Sequence, residues 1–215
     1  MPEMKSRSEP VALIGDIVDS RTATDRQSLH DSLTETLDRV NTDHPVLDPA
    51  VITLGDEFQG VYPTLGAALT ASFHIRALLH PHDVRFGAGR GDVQTLDPKR
   101  GIYDGSAFWA ARDAIVRAES LAAKPAFQLV RTAFHSDLDP AELVAAVGAA
   151  LLSLDQVVGS MSEVSRRILR GRLAGETQKE IAAAEGITPS AVSQRVIRDG
   201  IEVAMETMRR LGELP

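Results

Sequence analysis

The stretch ITLGDEFQGVY, residues 52–62, decides how the rest of the chain is read. Ile52 and Leu54 on one side, and Phe58, Val61 and Tyr62 on the other, have the composition of two short strands. Gly55-Asp56-Glu57 between them is the turn of a hairpin. A turn asks only for glycine or asparagine, so a carboxylate pair at its tip suggests a further use for Asp56.

Working outward, VALIGDIV (11–18) follows Pro10 as a nearly continuous apolar run, which predicts a buried strand ending near Asp16. Leu29, Leu33, Leu37 and Val40 are spaced as one face of an amphipathic helix over 25–40. Pro63 is expected to open a helix reaching Leu79. VRFGAGRGDVQT (84–95) reads as a strand whose Gly87, Gly89 and Gly91 imply a close approach to its backbone. Residues 96–104 read as a loop, 106–122 as a helix and 127–133 as a strand. The order β-α-β-β-α-β-α-β is an α+β pattern of the ferredoxin-like or palm type. After residue 136 only helices are expected, beginning at Asp139-Pro140 with Asp139 as N-cap and Pro140 first. The chain is thus divided into an α+β domain (1–136), a connecting helix (137–159) and an all-α domain (160–215).

Composition narrows the class. A hydrophobic share of 43% in 215 residues supports real cores and excludes a disordered chain. With no cysteine, disulfides and thiolate metal sites are excluded. No apolar run near the roughly 18 residues of a membrane span is evident, and residues 1–10 lack the apolar stretch of a signal peptide. The expectation is a cytoplasmic protein with no membrane partner. The net charge of −7 is uneven: residues 160–215 balance at +1 and residues 1–159 at −8. The acidic part argues against broad nucleic-acid binding there, whereas the C-terminal part is able to approach DNA.

Asp16, at the end of the first strand, and Asp56, on the hairpin, converge on one edge if their strands are neighbours. Two carboxylates beside glycine-rich turns suit Mg²⁺ (or Mn²⁺), which takes oxygen ligands and shares them with phosphates. Gly15, Gly55 and Ser20 leave space for phosphates, and Asp19-Ser20-Arg21 adds a hydroxyl and a guanidinium. The plain alternative is that Asp16 caps a turn and Gly55-Asp56-Glu57 is only a hairpin. The six histidines form no metal pattern, and no P-loop or GxSxG motif is present.

At these residues the chain resembles a known family. LIGDIVDS is similar to the first-strand metal motif of class III nucleotidyl cyclases, and ITLGDEFQGVY to their hairpin motif; the turn also resembles that of diguanylate cyclases. Arg85, Gly87, Gly91 and Val93 match the cyclase strand R-x-G-x-x-x-G-x-V. The whole chain looks most like the SatD family of bacterial proteins. The resemblance implies metal binding by Asp16, Asp56 and the Ile17 carbonyl. It implies Arg112 as the transition-state arginine if the protein is active, and with the residues already named the expected nucleotide contacts are Ile17, Ser20, Arg21, Gly55, Glu57, Arg85 and Arg112. It also implies a head-to-tail homodimer. Three departures matter: Phe108 stands where cyclases carry the asparagine that positions the ribose, the stretch from Gly105 to Arg112 is one residue shorter than the cyclase pattern, and no lysine lies near Ala50 to read adenine. Cyclisation needs the 3′ hydroxyl aimed at the α-phosphate, so nucleotide binding is better supported than turnover. Trp109 is either core or a stacking surface for a base.

The C-terminal part carries a second pattern. Thr177 and Glu180 form a capping box, Gly186 makes a tight turn, and Thr188-Pro189 starts another helix. This spacing is that of a helix-turn-helix and is similar to sigma-factor region four. Its second helix offers Ser190, Ser193, Gln194, Arg195 and Arg198 to the major groove, and Arg166, Arg167, Arg170 and Arg172 on the preceding helix are placed to reach the backbone of double-stranded DNA. The alternative is a helix pair used for protein contacts. The expected function is a nucleotide-sensing, DNA-binding transcriptional regulator. The alternatives are an active cyclase or nucleotidyltransferase, or a dead dimerisation domain. The helix over 201–214 is open between packing on its own domain and forming a dimer.

Overall fold

The computed structural model describes residues 9–20, 25–97 and 102–215 and is a mixed α+β protein. Among these residues the order is β1 (Val11–Ile17), α1 (Arg26–Asp43), β2 (Asp48–Leu54), β3 (Glu57–Tyr62), α2 (Leu65–Leu79), β4 (Val84–Arg90), β5 (Gln94–Asp97), β6 (Ile102–Asp104), α3 (Ser106–Ala122), β7 (Thr132–His135), α4 (Ala141–Gly159), α5 (Glu163–Leu173), α6 (Gln178–Glu185), α7 (Pro189–Arg198) and α8 (Ile201–Leu211). The main sheet has the order β2-β3-β1-β4-β7. Its first four strands are antiparallel, and β7 joins β4 in parallel.

Local chemistry explains most element ends. Asp25 accepts from the Ser28 N–H and starts α1; Thr64, not Pro63, caps α2. The predicted start of the 141–159 helix differs. Pro140 is its N-cap, without a side-chain bond, while Asp139 faces Arg90 at 3.3 Å. The expected strand over 127–133 begins instead at Thr132, because Pro125–Phe127 forms a 3₁₀ turn. The strand expected over 84–95 ends at Arg90, and the small hairpin β5–β6 takes up Gln94 and Thr95 with part of the loop expected over 96–104. Contrary to the expectation of no apolar run of membrane-span length, residues 141–159 form one apolar helix of 19 residues. By length and composition α4 is able to cross a membrane; in the fold it packs on β7 and α8. One such helix is weak evidence for a membrane protein.

The glycines of β4 find their reason in α3. A Cβ at Gly87 or Gly89 would overlap the backbone of Ala107, Ala110 and Ala111 or of Ile115, so α3 lies directly against the strand. Gly89→Ala is therefore expected to lift α3 and cost about 3 kcal/mol, the upper end of ordinary overpacking, measured as a lower urea midpoint. The same displacement would move Arg112, which α3 carries.

On the other face, α2 is apolar nearly all round, the mark of a helix buried on every side. It packs against β1, β3 and β4 and also against α1, α5 and α8. One continuous cluster consequently runs from Phe58, Tyr62 and Phe86 through Leu69 and Ile75 to Ile168, Ile181, Val192 and Ile201. α8 packs on α7 and also on α2 and α4, so its contacts reach beyond residues 160–215. Leu65 and Gly66 donate their N–H groups to the Pro215 and Leu214 carbonyls, so the C-terminal tail supplies acceptors to the first turn of α2. A buried ion pair fastens the same region: Arg76 Nη1 on α2 lies 2.5 Å from Asp155 Oδ1 on α4. Asp155 Oδ2 also accepts from the Arg131 and Thr132 N–H groups, at 2.7 and 2.8 Å.

Candidate functional site

The hairpin tip and the end of β1 meet, as the sequence predicts. Gly55 has φ +66, the left-handed conformation a two-residue hairpin places at its first position. That turn presents Asp56 to β1, where the Ile17 N–H donates to Asp56 Oδ2 at 3.2 Å. Asp16 lies opposite Arg85 in the β1–β4 register. Arg85 Nη1 lies 3.1 Å from Asp16 Oδ2 and 3.3 Å from Glu119 Oε1 on α3. Asp16 Oδ1 is buried with no hydrogen-bond partner. Burial pushes the Asp16 carboxyl above its usual range; Arg85 opposes this, and Asp56, Glu119 and Glu57 add to it.

Asp16, Ile17, Ser20, Gly55, Asp56, Glu57, Arg85 and Glu119 line one open cleft of about 800 Å³. Arg112 reaches its rim and grips Glu57 with both Nη atoms, at 2.6 and 2.7 Å. That hydrogen-bonded pair raises the guanidinium above its usual range. Arg21 lies outside the described residues.

The space left by the small residues is distributed differently from the expectation. The position a side chain would take at Gly15 is filled by the Phe58 ring, so Gly15 makes room for the core and not for a phosphate. At Gly55 nothing lies within 4 Å, and that side is open. Ala50 is buried, with both backbone groups bonded to Asn41. Phe108 is buried and stacks on Tyr103 at 5.8 Å between ring centroids. Trp109 is not core: it is 64% exposed, and its indole N–H donates to Asp104 at 2.9 Å.

Among the described residues no three His, Cys, Asp or Glu side chains are grouped to hold a metal ion. Asp16 and Asp56 are instead a pair of the kind magnesium uses when waters and phosphates complete its shell. The partnerless buried Oδ1 of Asp16 is the feature that fits a cation. Glu119 was not legible as a participant. Its signal lay in its spacing, seven residues and two turns beyond Arg112 on one face of α3.

The C-terminal helices follow their sequence signals closely. Thr177 and Glu180 form the reciprocal capping box, Gly186 is left-handed at φ 65, and Thr188 caps α7. Ile181, Ala182 and Val192 are buried at the contact of α6 and α7. The residues offered to DNA divide into two groups. Ser190 and Gln194 are exposed on α7. Ser193 bonds Gln178, Arg195 reaches Ser162 at 3.4 Å, and Arg198 pairs with Asp199 at 2.6 Å. Arg166 turns inward, donating to the Gly159 carbonyl at 2.9 Å and facing Asp83 at 3.6 Å. Arg167 holds Glu185 at 2.8 Å.

The chain is thus an α+β protein with an acidic cleft at one end of its sheet and a run of packed helices at its C-terminus. It belongs to the SatD family, which matches it over residues 10–214. No curated protein matches the sequence.

Proposed function

We propose that this SatD-family protein is a bacterial DNA-binding transcriptional regulator whose cleft senses a nucleotide held with Mg²⁺. The observation that carries the reading is the convergence of Asp16 and Asp56, joined through the Ile17 N–H, with one Asp16 oxygen buried and unpartnered. In this reading the two carboxylates and the Ile17 carbonyl hold the metal, and Ser20, Gly55 and Arg85 surround the phosphates. The sheet order β2-β3-β1-β4 supports a ferredoxin-like, cyclase-type domain over residues 1–136. The helix pair α6–α7, capped and glycine-turned, supports a helix-turn-helix over 160–215. A homodimer acting in the cytoplasm would present two readers to two half-sites.

The reading favours binding over turnover. Phe108 is buried on Tyr103 and offers no donor to a ribose. Arg112 is already gripped by Glu57, so an incoming phosphate must compete for it. Glu57→Gln is expected to release Arg112 and tighten triphosphate binding roughly tenfold, since charge-assisted pairs are the strong ones; titration calorimetry reads this directly. The central test is calorimetry with each nucleoside triphosphate, with and without Mg²⁺, alongside a pyrophosphate assay. Mg²⁺-dependent uptake without sustained pyrophosphate release is expected. No Mg²⁺-dependent uptake would overturn the sensor. Sustained release abolished by Arg112→Ala would favour the cyclase.

A further inference from the structure

A second cavity, of about 230 Å³, lies away from the cleft where α1 and α2 meet α5. His44 and His74 line it together, packed edge to face with ring centroids 4.4 Å apart. Arg39 and Arg170 line it from α1 and α5. His44 Nε2 is buried and finds no hydrogen-bond partner. The exposed Arg170 side chain has no hydrogen bond or ion pair with a described residue, and with Arg39 it also lines an adjoining hollow that holds Glu176 and Glu185. Asp43, the one carboxylate on the wall, is engaged by Arg39 at 3.6 Å.

These groups sort the possible occupants. Two guanidinium groups disfavour a cation, and no three metal-ligating side chains are grouped here. Burial keeps both imidazoles neutral, with His74 pushed down to about 4 and His44 also lowered. A neutral imidazole still offers one N–H, and a guanidinium offers several. Donors thus outnumber free acceptors in a space sized for a small molecule. We infer that this junction is a binding site for a small oxyanion, a phosphate or a compact carboxylate, held by Arg170 and Arg39 and completed by the His44–His74 pair. An oxyanion seated there bridges α5 to α1 and α2. The inference stands apart from the nucleotide reading of the cleft.

The test uses the full chain without Mg²⁺, titrated with inorganic phosphate, with succinate, and with chloride at matched ionic strength. Melting temperature and the imidazole ¹⁵N shifts are followed together. Phosphate or succinate is expected to raise the melting temperature saturably and to move the His44 and His74 resonances, and whichever does so identifies the source. Arg170→Gln, and separately Arg39→Gln, should abolish or sharply weaken both effects. Arg112→Gln, in the cleft, should leave both intact. The inference is overturned if chloride does the same, if neither anion gives saturable shifts, or if the effect survives Arg170→Gln and Arg39→Gln; its loss in Arg112→Gln would place the anion in the cleft instead.

Discussion

Asp155→Leu is expected to destabilise the protein by about 3–5 kcal/mol, the range for breaking a buried ion pair on one side. At about 2–4 °C per kcal/mol for a chain of this size, the melting temperature should fall by roughly 6–20 °C. Asp155 is 2% exposed and Arg76 7% exposed, so neither charge has water to fall back on. The two partners are not equivalent. Removing Asp155 strands the Arg76 guanidinium and also deprives the Arg131 and Thr132 N–H groups of their acceptor. Each buried donor left unmade costs about 1–3 kcal/mol. Arg76→Met leaves the carboxylate with its two backbone donors and the Thr132 hydroxyl at 3.3 Å. It should therefore be the milder change, and the double variant should recover only part of the loss. Chemical denaturation of the four proteins gives the cycle; equal single effects would contradict the assignment of the backbone bonds.

The second large effect is expected at the cleft. Asp16→Asn and Asp56→Asn should each weaken the Mg²⁺-dependent part of triphosphate binding by roughly 100-fold or more, since altering even an outer partner of a metal ligand commonly costs 10–100-fold. Binding without Mg²⁺ should hold or tighten, because the lost charge repelled phosphate. Stability gives an independent sign. Burial raises the Asp16 carboxyl above its unfolded value, so at neutral pH its ionised form opposes folding, and the opposition fades as pH drops. Asp16→Asn should accordingly hold or raise the melting temperature while losing the metal response. A fall in stability together with unchanged Mg²⁺ dependence would identify Asp16 as a structural partner of Arg85. Calorimetry and thermal melts on the same samples separate the two outcomes.

Much of this architecture was legible where one residue type has one physical use. Leu29, Leu33, Leu37 and Val40 fix α1 by spacing, and Thr177, Glu180, Gly186 and Thr188 fix the ends of α6 and α7. The meeting of Asp16 and Asp56 was legible because a hairpin beside the first strand leaves few other arrangements. What stayed hidden depends on pairings across the chain. Gly15 looked like room for a ligand, but the vacancy belongs to Phe58, a residue 43 positions away. Asp139 looked like a helix cap because Pro140 follows it, yet Arg90 takes it. Arg76 and Asp155 sit in apolar helices, where a charge gives no sign of its partner's position. The basic residues around α7 read as a DNA surface, although several are engaged by Ser162, Glu185, Asp83 and Asp199.

The burial of α2 on every side has a consequence for how such proteins can change over generations. Where two modules are joined by a linker, exchange of one by recombination leaves the other whole. Here a cut between the sheet and the C-terminal helices would bare Leu69, Ile75 and Leu79 on one piece and Ile168, Ile181 and Ile201 on the other. Chimeras built at that boundary inherit an open apolar wound on each half. Exchange of either half therefore has to carry matching substitutions on the other, because one apolar core spans both.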